Sequence, residues 1–517
     1  MIIKVVLLIV FFAVMLGVGV YARRQATDVN GFVLGGRSVG PWLTAFAYGT
    51  SYFSAVVFIG YAGQFGWKYG LSTTWVGLGN AFIGSLLAWA VMGRRTRVMT
   101  HHLDAKTMPE YFGKRFESKS LRIAAAVIAF VFLIPYTASV YKGLSTLFEL
   151  AFNIDYRWCV IAMAFLTAVY VILGGYMATA INDFIQGIIM LVGIVAVVAA
   201  VLKGQGGFLS AIQKLSQVPV DPTSTVPELQ NMTGPFVSFF GPDPANLLGV
   251  VILTSLGTWG LPQMVGKFYA IKSEKAVKTG TIVSTFFAVI ISCGCYFLGG
   301  FGRLFDSPAI YGSDGKIMYD SIIPQMLSSL PDLLIGIVVI LVLSASMSTL
   351  SSLVLTSSST LTLDVLKETA FKKLDEKKTL LTMRILVLFF IVISVTIALN
   401  PPTFIAQLMG ISWGALAGAF LAPFLYGLFS KRVTKASVWV CFIYGVGITL
   451  ANIFLNFMNP INCGAAAMLG GLVIVPLVSL FTPKMDKSKV DQMFACYDEK
   501  VQVTAKTVLV EDEEEKK

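Results

Sequence analysis

Charge is what this chain has least of. Asp, Glu, Lys and Arg make up only 13% of its 517 residues, about half the share usual in a soluble domain. Histidine is scarcer still, at two adjacent residues, His101 and His102. The six cysteines are Cys159, Cys293, Cys295, Cys441, Cys463 and Cys496; most lie in or beside apolar runs and none forms a pair of pairs. That argues against a disulfide framework and against a zinc site. No Gly-rich phosphate loop of the Walker type occurs, which argues against ATP drive, and no catalytic constellation occurs either. No catalytic residue and no organic cofactor is therefore assigned, and the chain is not read as an enzyme.

What the chain has instead is apolar residues, 56% of the total. A water-soluble fold of this length cannot hide so much apolar surface, which excludes a soluble enzyme, a disordered scaffold and a fibrous protein. A bilayer-spanning helix needs about 20 apolar residues, so thirteen of them would use roughly 260 and nearly exhaust the supply. Apolar runs fall at about 2–22, 40–62, 70–93, 121–145, 156–178, 180–202, 244–266, 279–302, 332–362, 380–400, 404–429, 436–457 and 463–482. The expected fold class is an all-α integral membrane protein with thirteen transmembrane helices, a leader and core spans 1 to 12. The first run is too long for a signal core and lacks a small-residue cleavage site, so it is read as a retained span.

The basic residues give the expected orientation. With the N-terminus outside and the C-terminus in the cytoplasm, 31 of the 39 Lys and Arg fall on inner segments, including Lys267 to Lys278, and 8 on outer ones. Such asymmetry is the positive-inside signal of a multi-pass protein in a cell membrane. It also accounts for the net charge of +11 without nucleic acid. The outer loops 203–243 and 303–331 have room for short amphipathic helices such as Phe208 to Leu215. The tail ends in an acidic run, Glu511 to Glu515, which reads as solvated.

Polar groups at membrane depth are costly and tend to mark pathways, and they cluster in four places. Core span 1 carries Tyr48, Gly49, Thr50, Ser51, Tyr52 and Ser54, with Gly49 able to loosen the helix. Unwound backbone there can offer carbonyls to a cation, or the small residues can form a packing face. Core span 6 reads SLGTWGLPQ, with two glycines and Pro262 flanking Trp259: a kink, or half of a transport site. Spans 1 and 6 are the first helices of two five-helix halves, and interruptions in corresponding positions point to such a site. Core span 8 carries Ser344, Ser346, Ser348, Thr349, Ser351 and Ser352; Ser348, Ser351 and Ser352 share a helix face and Thr349 adjoins it. Hydroxyls and carbonyls suit a hard cation such as Na⁺, or glue helices together. Asp183, at the start of core span 5, is either an interfacial anchor or the negative charge of a cation cage.

These same stretches resemble the sodium:solute symporter family over about residues 1–485. The resemblance rests on LGGRSVGPWLTAF (34–46), TMPEYFGKRFESKSLRI (107–123), GGYMATAINDFIQG (174–187), SLGTWGLPQ (255–263) and SASMSTLSSLVLTSSSTLTLDVL (344–366). The stretch after core span 2 is similar to the sodium/proline branch, the Asn182-Asp183 pair and the GLPQ turn to the sodium/pantothenate branch. Two positions depart from the family pattern: Tyr176, where Leu, Met or Phe is usual, and Tyr52, acidic in the proline branch.

The resemblance implies a five-plus-five inverted-repeat core: leader 2–22, repeat one 40–202, repeat two 244–429, extra helices 436–482 and a cytoplasmic tail 486–517. It implies a Na⁺ site on the carbonyls of Thr50, Phe53 and Ala345 and the hydroxyls of Ser348 and Thr349. A second Na⁺ site would comprise Asp183, Ser348, Ser351 and Ser352, and substrate would lie near Tyr52, Ser54, Tyr136, Trp259 and Trp413. The expected function is Na⁺-coupled import of a small organic solute, proline or a similar amino acid, with pantothenate or a monocarboxylate as the alternative substrate. A proton-coupled transporter and a channel are the rival classes. The expected partners are Na⁺, the solute and the bilayer, with no nucleic acid and no obligate protein.

Overall fold

The computed structural model describes residues 2–498 apart from 153, 222–226, 329 and 373. Among the described residues the regular elements are all helices, joined by loops with a few isolated β-bridges. The long helical runs are α1 (Ile2–Ala22), α2 (Pro41–Tyr52), α3 (Val56–His102), α4 (Lys119–Phe152), α5 (Tyr156–Gly204), α6 (Pro244–Gly260), α7 (Pro262–Ala270), α8 (Glu274–Gly299), α9 (Asp332–Thr360), α10 (Glu376–Leu399), α11 (Ile405–Phe429), α12 (Lys435–Leu455) and α13 (Pro460–Phe481). Ten runs among the described residues are long and apolar enough to cross a membrane, or eleven if α6 and α7 form one bent span.

The bundle is apolar outside and polar within. Ile282, Phe165, Val192 and Phe454 lie exposed on its flanks, while Ser344, Ser346, Ser348, Thr349 and Ser351 are buried. In water that arrangement would aggregate; facing lipid it is the stable one, because lipid tails impose no penalty on exposed Leu, Ile or Phe and the hydroxyls find partners inside. The helices α4, α5 and α9 pack on one another, α11, α12 and α13 form a second group, and α1 lies against α5.

Glycines decide where the long runs break. In α5, Gly175 adopts φ +55°, ψ −148°, a backbone region closed to residues with a Cβ. A Cβ there would also stand 2.9 Å from the Phe32 carbonyl. This corrects the expected division of core spans 4 and 5 near residue 179. The hinge lies four residues earlier, so Asp183 stands two turns inside the second segment. Gly70, at φ +63°, ψ −142°, interrupts α3 in the same way. The amphipathic loop helix is present as Phe208–Ser216. The acidic run Glu511 to Glu515 lies outside the described residues.

A candidate ion and solute site between two broken helices

The first break is displaced from its expected place. Gly49 stays helical, and its missing side chain serves close packing: a Cβ there would collide with the Phe287 ring of α8. The helix α2 ends instead at Tyr52, and Phe53 turns out of it at φ −103°, ψ 94°. The chain resumes helical winding at Val56, first with π-type turns to Tyr61. The last carbonyls of α2 therefore have no partners further along their own helix. The second break is where the sequence put it. Leu261 is extended at φ −85°, ψ 122°, because Pro262 has no N–H to continue the ladder and disfavours helical geometry in the residue before it. The axes of α6 and α7 diverge by 45°.

The hydroxyl face of α9 meets the broken end of α2. Ser348 Oγ donates to Thr50 Oγ1 at 2.7 Å. Thr349 Oγ1 lies 3.3 Å from the carbonyls of both Thr50 and Ser51 and 3.1 Å from that of Ala345. Thr50, Ser51, Ser348 and Thr349 are fully buried. Six oxygens thus meet without a full charge among them, the kind of donor a hard cation takes. The Ser51 carbonyl is an addition to the expected set. Phe53, Ser54 and Ala345 line a small adjoining cavity with Met190, Ile194 and Leu341.

The aromatic residues divide. Tyr52, Tyr136 and Trp413 come together, with ring centroids 6.2 Å apart for Tyr52 and Trp413 and 5.9 Å for Tyr136 and Trp413. All three are buried, so a solute can reach them only if helices part. Tyr52 Oη donates to the Thr254 carbonyl at 2.6 Å, which ties α2 to α6. The Trp413 indole N–H is buried without a partner. Trp259 stands apart from the trio, its Nε1 donating to the Ile83 carbonyl at 3.0 Å. Ser54 lies on the side of the small cavity, its Oγ accepting from the Val56 N–H at 3.2 Å.

Asp183, Ser351 and Ser352 are also brought to this face, with a companion the sequence reading placed wrongly. Lys267, counted with the inner loop, is buried in α7, with its Nζ 3.7 Å from Asp183 Oδ2 and 2.9 Å from Ser352 Oγ. Ser352 Oγ in turn shares a hydrogen bond with Ser51 Oγ at 2.8 Å. Ser351 Oγ donates back to the Ser348 carbonyl at 2.8 Å. The ammonium also stands 5.3 Å from the Tyr176 ring centroid. The warning was in the sequence: Lys267 is a lone cation in the apolar stretch Val265 to Ile271.

Asp364 was missed as well. It is fully buried just past α9, where the chain continues with π-type winding. Arg122 Nε donates to its Oδ1 at 2.7 Å and Thr107 Oγ1 to its Oδ2 at 2.5 Å. Arg122 also reaches Glu368 Oε1 at 2.6 Å. This charged cluster lies at the end of the bundle where Phe494, from the helix Lys487–Phe494, packs under Arg115.

Two interrupted helices, one of them ending against a buried set of neutral oxygens, mark a class, the multi-span membrane transporters with discontinuous helices. The sodium:solute symporter family matches residues 32–445, and the chain belongs to that family. It is 29% identical over 490 residues to the osmoregulated proline transporter OpuE of Bacillus subtilis (strain 168), covering 92% of this chain and 94% of that protein. It is 29% identical over 496 residues to sodium/proline symporter 2 of Staphylococcus saprophyticus, covering 93% of each. Its fold is similar to that of a Na⁺-coupled sialic acid symporter in a substrate-bound, outward-open state, with TM-score 0.72 at 18% identity over 94% of this chain and 99% of that one. Mhp1, a nucleobase-cation-symport-1 family transporter in a closed conformation, matches at TM-score 0.52 and 13% identity over 90% of this chain and 98% of that one. The chain is thus a multi-pass membrane transport protein.

Proposed function

We propose that this protein imports proline or a closely similar amino acid together with Na⁺. The observation that carries the reading is the meeting, at the break of α2, of the Ser348 hydroxyl with the Thr50 hydroxyl and of the Thr349 hydroxyl with the carbonyls of Thr50, Ser51 and Ala345. We assign Na⁺ to that cluster, with Phe53 supplying a further carbonyl. The substrate is assigned to the side of Tyr52, Tyr136 and Trp413, with Trp259 and Ser54 at its margins. The two bacterial relatives, proline transporters by name, support proline over pantothenate or a monocarboxylate.

Coupling follows from population shift. A cation that bridges α2 and α9 is bound only while the two are together, so it favours the state in which the solute pocket is assembled. The membrane potential adds about 2.3 kcal/mol per Na⁺ for each 100 mV. Release follows when α9 withdraws its hydroxyls from the end of α2. The proposed topology has thirteen crossings, because α3 and α5 each divide at a glycine, Gly70 and Gly175, and α2 joins the first part of α3. It comprises a leader, two inverted repeats over 40–202 and 244–429 and two extra helices, with the N-terminus outside and the tail from 486 in the cytoplasm. The test is uptake of labelled proline into proteoliposomes, alongside a panel of amino acids, pantothenate and monocarboxylates. An inward Na⁺ gradient should drive accumulation, and replacing Na⁺ by choline should abolish it. Uptake driven by a proton gradient without Na⁺ would overturn the reading.

A further inference from the structure

We propose that the Lys267 ammonium is a tethered cation that fills the second cation position of this transporter, so that a single Na⁺ is bound per chain. The inference rests on the Na⁺ reading given above and deepens it. The expected second site is made of Asp183, Ser348, Ser351 and Ser352, and every one of those residues is present. The position is nevertheless already held by a positive charge. Lys267 Nζ lies 3.7 Å from Asp183 Oδ2 and donates to Ser352 Oγ at 2.9 Å.

Three further observations support this role. First, the carboxylate is available to a cation and to little else. Asp183 is fully buried and accepts no hydrogen bond of ordinary length; the Ser348 hydroxyl and the Lys267 ammonium are the donors that face it, and the charge of Lys267 is what balances it. A buried carboxylate left with no countercharge is costly. A sodium ion added beside the ammonium would be repelled by it, and the ammonium already occupies a lone pair of the Ser352 hydroxyl. Second, the ring of Tyr176 stands 5.3 Å from the ammonium, a distance at which an aromatic face attracts a cation. Third, Lys267 belongs to α7, the half-helix after the Leu261 break, whereas its partners belong to α5 and α9. A narrow crevice of about 50 Å³ runs alongside, lined by Lys106, Gln263, Lys267 and Ser352 together with the apolar Leu34 and Leu355. The Gln263 amide is buried there without a partner.

A cation carried on α7 differs from a bound ion in one respect: it never leaves. It can neutralise Asp183 while α7 and α5 are together and withdraw when they part, with no second ion taken from the gradient. The inferred consequence is that this chain transports with one Na⁺, although its second-site oxygens are intact.

The experiment counts ions on the purified full-length chain, using ²²Na⁺ alone in equilibrium binding without solute. Wild type should bind one Na⁺ per chain with a Hill slope of one. Lys267→Gln should bind two with a steeper slope, because Asp183 and the serines are then free to take an ion. Lys267→Gln combined with Asp183→Asn should return the count to one. Lys267→Met serves the same purpose should the Gln variant fail to fold. If both fail, wild type against Asp183→Asn still decides: a fall from two to one overturns the proposal, and one in both upholds it. A count of two in wild type, or of one in a folded Lys267→Gln, overturns the inference while leaving the Na⁺ reading in place. A wild-type count of zero overturns the Na⁺ reading itself.

Discussion

Asp183 and Asp364 are both fully buried carboxylates facing basic side chains, yet the chain treats them in opposite ways. Asp364 is saturated: Arg122 and Thr107 each donate a short hydrogen bond to one of its oxygens, and Arg122 extends the cluster to Glu368. Asp183 faces Lys267 at 3.7 Å, and neither of its oxygens accepts a hydrogen bond of ordinary length. A buried pair with its remaining lone pairs satisfied is a fixed joint, whereas one that lacks them persists where something else is gained. The first carboxylate holds the end of α9 to α4. The second lies among the hydroxyls that we assign to ions. Saturation, more than burial or charge, is what distinguishes the two acids.

The largest effect that would break this contrast is at the joint. Arg122→Ala leaves Asp364 buried without its countercharge, and a loss of about 3 kcal/mol or more is expected. It would be read as a lower apparent melting temperature in detergent and as reduced abundance. If Arg122→Ala folds normally and changes only Na⁺ dependence, the two acids have been assigned the wrong way round. At the ion site the expected effect is on affinity. Thr349→Ala removes the one hydroxyl that faces three backbone carbonyls, and should raise the Na⁺ concentration for half-maximal uptake about tenfold, which is about 1.4 kcal/mol. Ser348→Ala should act in the same direction, with protein abundance little changed in both.

The solute pocket sharpens the comparison on a smaller scale. Trp413 has a buried N–H with no partner, so Trp413→Phe sacrifices no internal hydrogen bond. A weakening of solute affinity by about threefold, under 1 kcal/mol, with ²²Na⁺ binding unchanged, would show that this N–H faces the substrate. Trp259→Phe loses a hydrogen bond to the Ile83 carbonyl and should cost about 1 kcal/mol of stability in addition to any change in selectivity. The smallest effect is expected from Tyr176→Phe, which keeps the ring beneath Lys267 and should change stability by less than about 0.5 kcal/mol. A large loss there would mean that the hydroxyl, not the ring face, supports the ammonium.

Much of this was legible along the chain. The serine and threonine string of α9 was visible as a helix face, and its hydroxyls meet the end of α2. Pro262 fixed the place of the second break by local chemistry alone. The first break was misread, because Gly49 looks like a weak point in isolation. Only the Phe287 ring packed against it shows that its missing side chain serves close contact. Lys267 was misread for a related reason. Counting basic residues assigns a lysine at a span end to the nearest loop, and nothing in the local sequence says that Asp183, 84 positions earlier, will be its neighbour.

The sequence by itself determined that the protein spans a membrane many times, where its helices lie, which of them carry hydroxyls and that two are interrupted. Each of these depends on hydropathy, helix period or proline chemistry within one segment, so each can be read locally. Tertiary structure alone decided which oxygens converge, that Tyr136 joins Tyr52 and Trp413 while Trp259 does not, and that a lysine of α7 stands beside the acid of α5. Those facts depend on which helices become neighbours. At membrane depth neighbours are selected by the close approach that small residues allow and by the need of every buried polar group for a partner, and both are properties of pairs of segments rather than of either one.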